Sequence, residues 1–514
     1  MPMGVPLQAL FEEISNALRA RLSQKEPTVS EGMAAVMDIL LRDQEQRLWQ
    51  YLLGVGGAVL VLFAVAKLLS EKRQPTNTVA WILAIVLIPW LGVPFYLLFG
   101  GRKLRRLARR KSPLHPELPG MAPASPETLA SPTAQIINAA GSNPPVGGNT
   151  VRLLTRGDEA YAVLAEQIQQ ARHSIHITTF ILARDDTGKR IIRLLADRAR
   201  EGVKVRLLLD AVGCLRSSFG FCNVLREAGG EVRRFMPVLP FWNTRSSANL
   251  RNHRKIAVFD QHSAIIGGHN LAREYMGPTH FRKRWHDVGA LIKGPGAALL
   301  NEVFLADWAF ASGQSLDLLR TEQLPEALLV EGASELQVVA SGPDVEGDPL
   351  YETILSMIQE AARSIWIVTP YFIPDEVLLR SLVVKARAGH EVVLIVPARS
   401  NHRITDFARR HYLRELQAAG VQVRLCGPAM MHSKAMVVDD RIALMGSANF
   451  DIRSLFVNFE IGVVLHSLQD VRGLKSYMTG LLAHSGAPSL HARSRHRILG
   501  RVAEDLSRLL APLL

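Results

Sequence analysis

Hydrophobic positions along this chain fall into distinct regimes. Two uninterrupted apolar runs come first, Trp49 to Leu69 and Val79 to Phe99. At about 20 residues each is long enough to cross a hydrocarbon core of ~30 Å. Lys67 is the only charge in the first run, near one end where it can snorkel, and the second run has none. Pro89, Gly92 and Pro94 would break a helix in water but are tolerated in membrane helices. The pattern predicts two transmembrane helices over 49–100, too far into the chain for a cleaved signal peptide. Residues 1–48 read as a mixed helical segment. Residues 101–150 begin basic and continue rich in Pro, Ser, Ala and Gly, as a linker does. Beyond them, apolar β-type runs alternate with amphipathic helical ones, which predicts an α/β body. Near the end, Ile498, Leu499, Val502, Leu506, Leu509 and Leu510 share one helical face beside several arginines. Such a helix over 486–514 suits an anionic membrane or the protein body equally.

The α/β region repeats itself. ARHSIHITTFI at Ala171–Ile181 matches AARSIWIVTPYFI at Ala361–Ile373, and AREGVKVRLLLD at Ala199–Asp210 matches ARAGHEVVLIVP at Ala386–Pro397. LREAGGEVRRFMP at Leu225–Pro237 likewise matches LQAAGVQVRLCGP at Leu416–Pro428. Two α/β domains, 151–330 and 331–485, packed about a pseudo-twofold axis are the simplest account. Equivalent residues would then face each other across one cleft.

Charge narrows the partner. Lys and Arg number 60 against 47 Asp and Glu, a net charge of +13, which favours an anionic partner. Seven positive residues and no negative one lie within 102–111. The positive-inside rule places that end in the cytoplasm, and the cluster also suits anionic headgroups. Two spans would return the N-terminus to the same side. Three cysteines, Cys214, Cys222 and Cys426, match no disulfide framework, zinc or redox spacing.

Each repeat carries the same polar constellation. His253, Lys255 and Asp260 have the spacing H-x-K-x4-D, followed by Gly267, Gly268 and Asn270. His432, Lys434 and Asp439 repeat it, followed by Gly446, Ser447 and Asn449. In a strand, residues i and i+2 point to one face, so the His and Lys of each motif reach one ligand. One match can arise by chance; two at corresponding places in a repeat point to function. An imidazole can act as nucleophile or as acid and base near neutral pH. Its tautomer is usually fixed by a carboxylate on the other ring nitrogen. A candidate follows each motif: Asp287 after the first, Glu460 after the second. Asp260 and Asp439 complete the motifs and are grouped with the catalytic His and Lys residues, while also reading as structural ties between strands.

These paired motifs resemble the phospholipase D superfamily. PPVGGN (144–149), LRNHRKIAVFD (250–260), TPYFIPDE (369–376) and NFDIRSLFVNFE (449–460), with the two apolar runs, resemble its bacterial cardiolipin synthase subgroup. The resemblance covers nearly everything from Leu48 onward. It implies phosphatidyl transfer between two phosphatidylglycerols through a phosphohistidine, with no metal or cofactor. His253 would be the nucleophile and His432 the acid and base. Lys255 and Lys434 would hold phosphate oxygens, with Asn270, Ser447, Asn449, Asp287 and Glu460 in support. The family more often has Arg where this chain has His286. The resemblance further implies a bacterial inner-membrane protein with its catalytic domains on the cytoplasmic side, and no nucleic-acid partner. Self-association stays open. The competing readings are a hydrolytic phospholipase D, a transfer to another alcohol, a nuclease of the superfamily, and an inactive membrane scaffold.

Overall fold

The computed structural model describes residues 54–69, 75–99, 121–217, 220–236, 250–321, 330–345 and 347–488, with Asn16 and Met37. The basic cluster 102–111, nearly all of 1–48 and the expected C-terminal helix lie outside the described residues. The chain divides into two compact units, Met1–Gly101 and Arg102–Leu514.

In the smaller unit, residues 54–69 are helical, as the first apolar run predicts. The second run is not the single helix expected. It forms two, Pro75–Leu87 and Pro89–Phe99, with Ile88 between them. Pro89 has no N–H to continue the ladder, and its ring clashes with the preceding turn. Among the described residues no helix is long and apolar enough to cross a membrane. Ala64, Leu68, Ile85, Val93 and Tyr96 form a small core between these helices.

In the larger unit, the first repeat contributes β1 (Val146–Leu154), β2 (Ser174–Thr179), β3 (Lys204–Asp210), β4 (Glu231–Phe235), β5 (Ile256–Phe259), β6 (Ser263–Gly267) and β7 (Gly289–Lys293). The second contributes β8 (Ser334–Ser341), β9 (Ser364–Val368), β10 (Phe372–Ile373), β11 (Glu391–Pro397), β12 (Gln422–Cys426), β13 (Ala435–Val438), β14 (Ile442–Gly446), β15 (Phe450–Asp451), β16 (Glu460–Leu465) and β17 (Ser485–Gly486). Strands β10 and β15 pair separately. The others form one sheet, ordered β17-β12-β11-β9-β13-β14-β16-β8-β1-β7-β6-β5-β2-β3-β4. Outward from the antiparallel β1/β8 pair, both directions repeat one order: β7-β6-β5-β2-β3-β4 and β16-β14-β13-β9-β11-β12. That is the expected pseudo-twofold arrangement of two α/β repeats.

Helices cover both faces, so strands such as β13 and β16 are buried along their whole length and read as continuous apolar runs. Ile256 and Val258 share one core with Val437 and Val463, so the halves bury apolar surface together.

Part of the expected linker is folded. Ser125 and Ser131 each cap a short helix with Pro at its first position, Pro126–Leu129 and Pro132–Ala139. Ile137 enters the core of the second repeat, and Thr133 bonds Ser356 at 3.1 Å. The low apolar content of 113–150 hid these contacts.

The motif aspartates are explained by the same topology. Asp260 and Gln261, and Asp439 and Asp440, have φ between 49° and 59°. They make the tight turns β5/β6 and β13/β14, where Asp tolerates the left-handed region. The Asp260 carboxylate accepts the N–H groups of Arg172, His173 and Ser174 at 2.7–2.8 Å. Asp439 accepts those of Ala362, Arg363 and Ser364 at 2.7–2.8 Å. Each therefore fastens its hairpin to the start of β2 or β9. They lie roughly 16 Å along the strand from the motif lysines, at ~3.3 Å per residue, so Asp260 and Asp439 hold the hairpins and do not join the His and Lys residues as catalytic groups. Burial opposes the Asp439 charge, but its three backbone donors outweigh that and hold the carboxyl below its ordinary value. Asp439→Ala is expected to lower unfolding free energy by about 3 kcal/mol, since hydrogen bonds to a charged group contribute ~1.5–3 kcal/mol each and do not add fully. Because the folded value is depressed, this stabilisation is complete above the unfolded value near ~3.9 and disappears as pH falls through the folded one. Urea titrations of the two proteins should differ at pH 7, and the difference should begin to shrink below about pH 4.

Candidate active site

Each motif histidine lies just before a central hairpin strand, and a short backbone bridge from the other repeat holds it. Phe459 N–H donates to Arg251 O and His253 N–H donates to Phe459 O, both at 2.9 Å. In the other half, His286 N–H donates to Met430 O at 2.9 Å and His432 N–H to His286 O at 2.7 Å. These bridges set residue 460 beside 253 and residue 287 beside 432. Position 286 thus acts through its backbone.

The carboxylates are therefore crossed between repeats. His253 Nδ1 is 3.0 Å from both Glu460 oxygens, and His432 Nδ1 is 2.7 Å from Asp287 Oδ2. The sequence suggests a carboxylate following each motif as that motif's partner; the structure exchanges them. Neither repeat holds a complete histidine–carboxylate pair by itself.

All four groups are buried, and so are both lysines. Burial lowers the His253 pKa, although Glu460 opposes this. His432 is pushed well below its ordinary value by burial, then by Lys434 and Lys255. Burial raises Asp287, while in Glu460 the effect of burial is outweighed by His253, and the carboxyl is held low. Burial also brings Lys255 down to about 7 and Lys434 to about 8. Lys255 Nζ donates to His253 O at 2.7 Å, and Lys434 Nζ lies 3.2 Å from His432 Nε2. Two crowded cations and two buried imidazoles favour an anionic ligand, whose charge offsets the lysines and raises both imidazoles.

The supporting residues divide the work. Ser447 Oγ donates to Glu460 at 2.5 Å, and Asn458 Nδ2 also donates to Glu460, at 3.3 Å, so Ser447 serves the carboxylate and not a ligand directly. The matching residue is Gly268, where a Cβ would sit 2.0 Å from Asp287 Oδ1. Asn270 Oδ1 accepts Ile181 N–H at 3.1 Å, and Asn449 Nδ2 reaches Ser454 at 3.2 Å. Both brace the loops beside the histidines.

Sequence reasoning missed two layers. Tyr275, Trp285 and Tyr371 surround the His432 ring at 4.9, 5.4 and 6.5 Å between centroids, and Phe180 lies 4.9 Å from His253. Behind the site, Arg254 is fully buried and bonds Asp307 at 2.6 Å. It also donates to Glu460 O at 3.0 Å and Ser341 O at 3.1 Å. An isolated Asp307 in the otherwise apolar stretch FLADWAF was the available signal.

Two repeats, one central sheet and a crossed pair of histidine–lysine motifs define a phospholipase D-like protein. A family model described as "Cardiolipin synthase, PLD-like domain" matches residues 164–308 and 354–482, and one described as "Phospholipase_D-nuclease N-terminal" matches 59–101. Cardiolipin synthase of Alkalihalophilus pseudofirmus is 35% identical over 474 residues, covering 90% of this chain and 94% of that protein. Cardiolipin synthase 1 of Bacillus anthracis is 31% identical over 504 residues, 94% of this chain and 97% of that one. The crystal structure of phosphatidylserine synthase from Haemophilus influenzae aligns with a TM-score of 0.53 at 17% identity, covering 71% of this chain and 93% of that one, a likeness of fold. The chain belongs to the cardiolipin synthase family of phospholipase D-like proteins.

Proposed function

We propose that this protein is a cardiolipin synthase, a phosphatidyltransferase that converts two phosphatidylglycerols into cardiolipin and glycerol. The observation that carries the reading is the crossed pair of buried histidines, each fixed through Nδ1, in a chain of this family. Engagement of Nδ1 leaves Nε2 of each ring for chemistry. His253 Nε2 attacks phosphorus, and His432 gives its proton to the departing glycerol oxygen. The hydroxyl of the second headgroup then loses its proton to His432 and attacks the phosphohistidine. One P–O bond replaces another, so no nucleotide is consumed. Lys255 and Lys434 stabilise the charge that builds on the non-bridging oxygens. The aromatic wall of Tyr275, Trp285 and Tyr371 around His432 supports transfer to an alcohol in preference to water.

In this reading the protein works at a bacterial membrane. The apolar segment 49–100 is its anchor and residues 101–150 lead into catalytic halves at 151–330 and 331–485. The positive charges of Arg102–Lys111 support a cytoplasmic catalytic body.

Purified protein given phosphatidylglycerol alone is expected to form cardiolipin and release one glycerol per cardiolipin, read by mass spectrometry beside a His253→Asn control. Phosphatidic acid as the product would make water the acceptor and replace the synthase reading with a hydrolase. Absence of both products would overturn the substrate assignment.

A further inference from the structure

We infer that residues 75–99 form a re-entrant hairpin that enters and leaves an anionic bilayer on the same face without crossing it. The two arms fold back on each other. Trp81 and Tyr96 meet edge to face at 5.5 Å between ring centroids. In a straight helix, fifteen residues would separate them by about 22 Å. The arms close where a Cβ at Gly92 would lie 2.2 Å from Ala84 O, an approach open to glycine only. Ile85, Val93 and Tyr96 point inward and pack with Ala64 and Leu68 of the helix over 54–69.

The outward side suits hydrocarbon. Leu83, Val86, Leu87, Ile88, Trp90 and Leu91 are each more than half exposed, and no charged residue occurs between 75 and 99. An apolar surface of this kind around a tight turn is not left in water. The turn also suits it: Gly92 N–H and Leu91 N–H both donate to Ile88 O, Ile88 N–H donates to Ala84 O, and Pro89 has no N–H to leave unpaired. The longer arm, 13 residues, spans about 20 Å, which passes the middle of a ~30 Å hydrocarbon core without crossing it.

Charge marks the open end. Lys67 Nζ lies 5.8 Å from the Tyr96 ring, at the end away from Ile88. In sequence, Glu71, Lys72 and Arg73 precede the hairpin, and the seven cations of 102–111 follow it. Those cations complement anionic headgroups on the face where the hairpin opens.

The inference is independent of the reaction, and its test reads sidedness. Full-length wild-type protein in sealed inside-out vesicles of a bacterial membrane would be treated with trypsin and the protected peptides identified by mass spectrometry. A fragment from Gln74 to Arg102, cut at both ends from one face, is expected. Protection of one end, with cleavage there only in right-side-out vesicles, would mean a spanning helix and overturn the hairpin. A second measurement uses Thr76→Cys and Gly101→Cys with an impermeant maleimide; the wild-type thiols Cys214, Cys222 and Cys426 are buried and serve as background. Both positions are expected to react from the same face, and reaction from opposite faces would overturn the proposal.

Discussion

His253→Asn or His432→Asn is expected to reduce turnover by about 10⁴-fold or more, with the folded state retained. Asparagine is chosen because its amide can still donate to Glu460 or Asp287, so no buried carboxylate loses its partner. The two imidazoles act as one unit in a covalent displacement: neither attack without an acid nor an acid without attack gives product. The double variant should therefore be scarcely slower than either single one, as for other catalytic groups that work together. Independent additive losses would separate the two residues into unrelated roles and count against the proposed mechanism. The neighbouring lysines give the reaction a pH signature. Burial sets Lys255 near 7 and Lys434 near 8, against the pull of Glu460 and Asp287. Each loses its charge as pH rises through its value, so the site becomes a poorer receptor for a phosphodiester anion. The ratio kcat/KM should fall above about pH 8, mainly through KM, because bound phosphate restores the lysine charge at saturation. A kcat/KM flat from pH 7 to 10 would place the phosphate elsewhere.

Arg254→Met is expected to be the most destabilising of these substitutions, at about 3–5 kcal/mol, the usual cost of stripping one partner from a buried ion pair. Arg254 is fully buried and joins the halves: its guanidinium bonds Asp307 on the Pro295–Ser312 helix of the first repeat, and Ser341 O and Glu460 O of the second. Methionine fills much of the volume but leaves the Asp307 and Asp344 charges without their guanidinium and removes one hydrogen bond from the backbone that carries the Glu460 carboxylate. Chemical denaturation would read the first effect, and turnover of the folded protein the second. Arg254→Met with Asp307→Leu should regain part of the stability, since an apolar pair can replace a buried ion pair at little cost, while Asp344, 3.7 Å from Arg254, still loses its cation. The double variant should still turn over more slowly, because the Arg254 bond to Glu460 O stays missing. Full recovery of turnover would mean that Arg254 does not position the site.

The repeat, both histidine–lysine motifs and the α/β class were legible because they depend on local order along the chain. The i, i+2 spacing alone puts His432 and Lys434 on one face, and the repeat brings each motif its counterpart 179 residues away, His253 to His432. The aspartates were legible as structural, but their three-way grip on a preceding strand was not, because it spans 75–88 residues of chain. The helical pair at 121–150 was hidden for a related reason: its few apolar residues matter only against the second repeat. The apolar run Val79–Phe99 is long enough in sequence for one spanning helix, yet hydropathy measures length and not direction. Whether such a run continues or folds back is decided by Pro89 and by the contact at Gly92.

By itself, then, the sequence determined the chemical groups and the duplicated frame that carries them: two imidazoles, two lysines, two carboxylates. Tertiary structure decided which carboxylate serves which imidazole. Asp287 follows His253 in the chain but binds His432, and Glu460 follows His432 but binds His253. Sequence distance cannot reveal this, because the pairing is made across the pseudo-twofold junction by backbone bridges between the two halves. Each buried imidazole needs a carboxylate on Nδ1, and only the assembled pair of repeats supplies it.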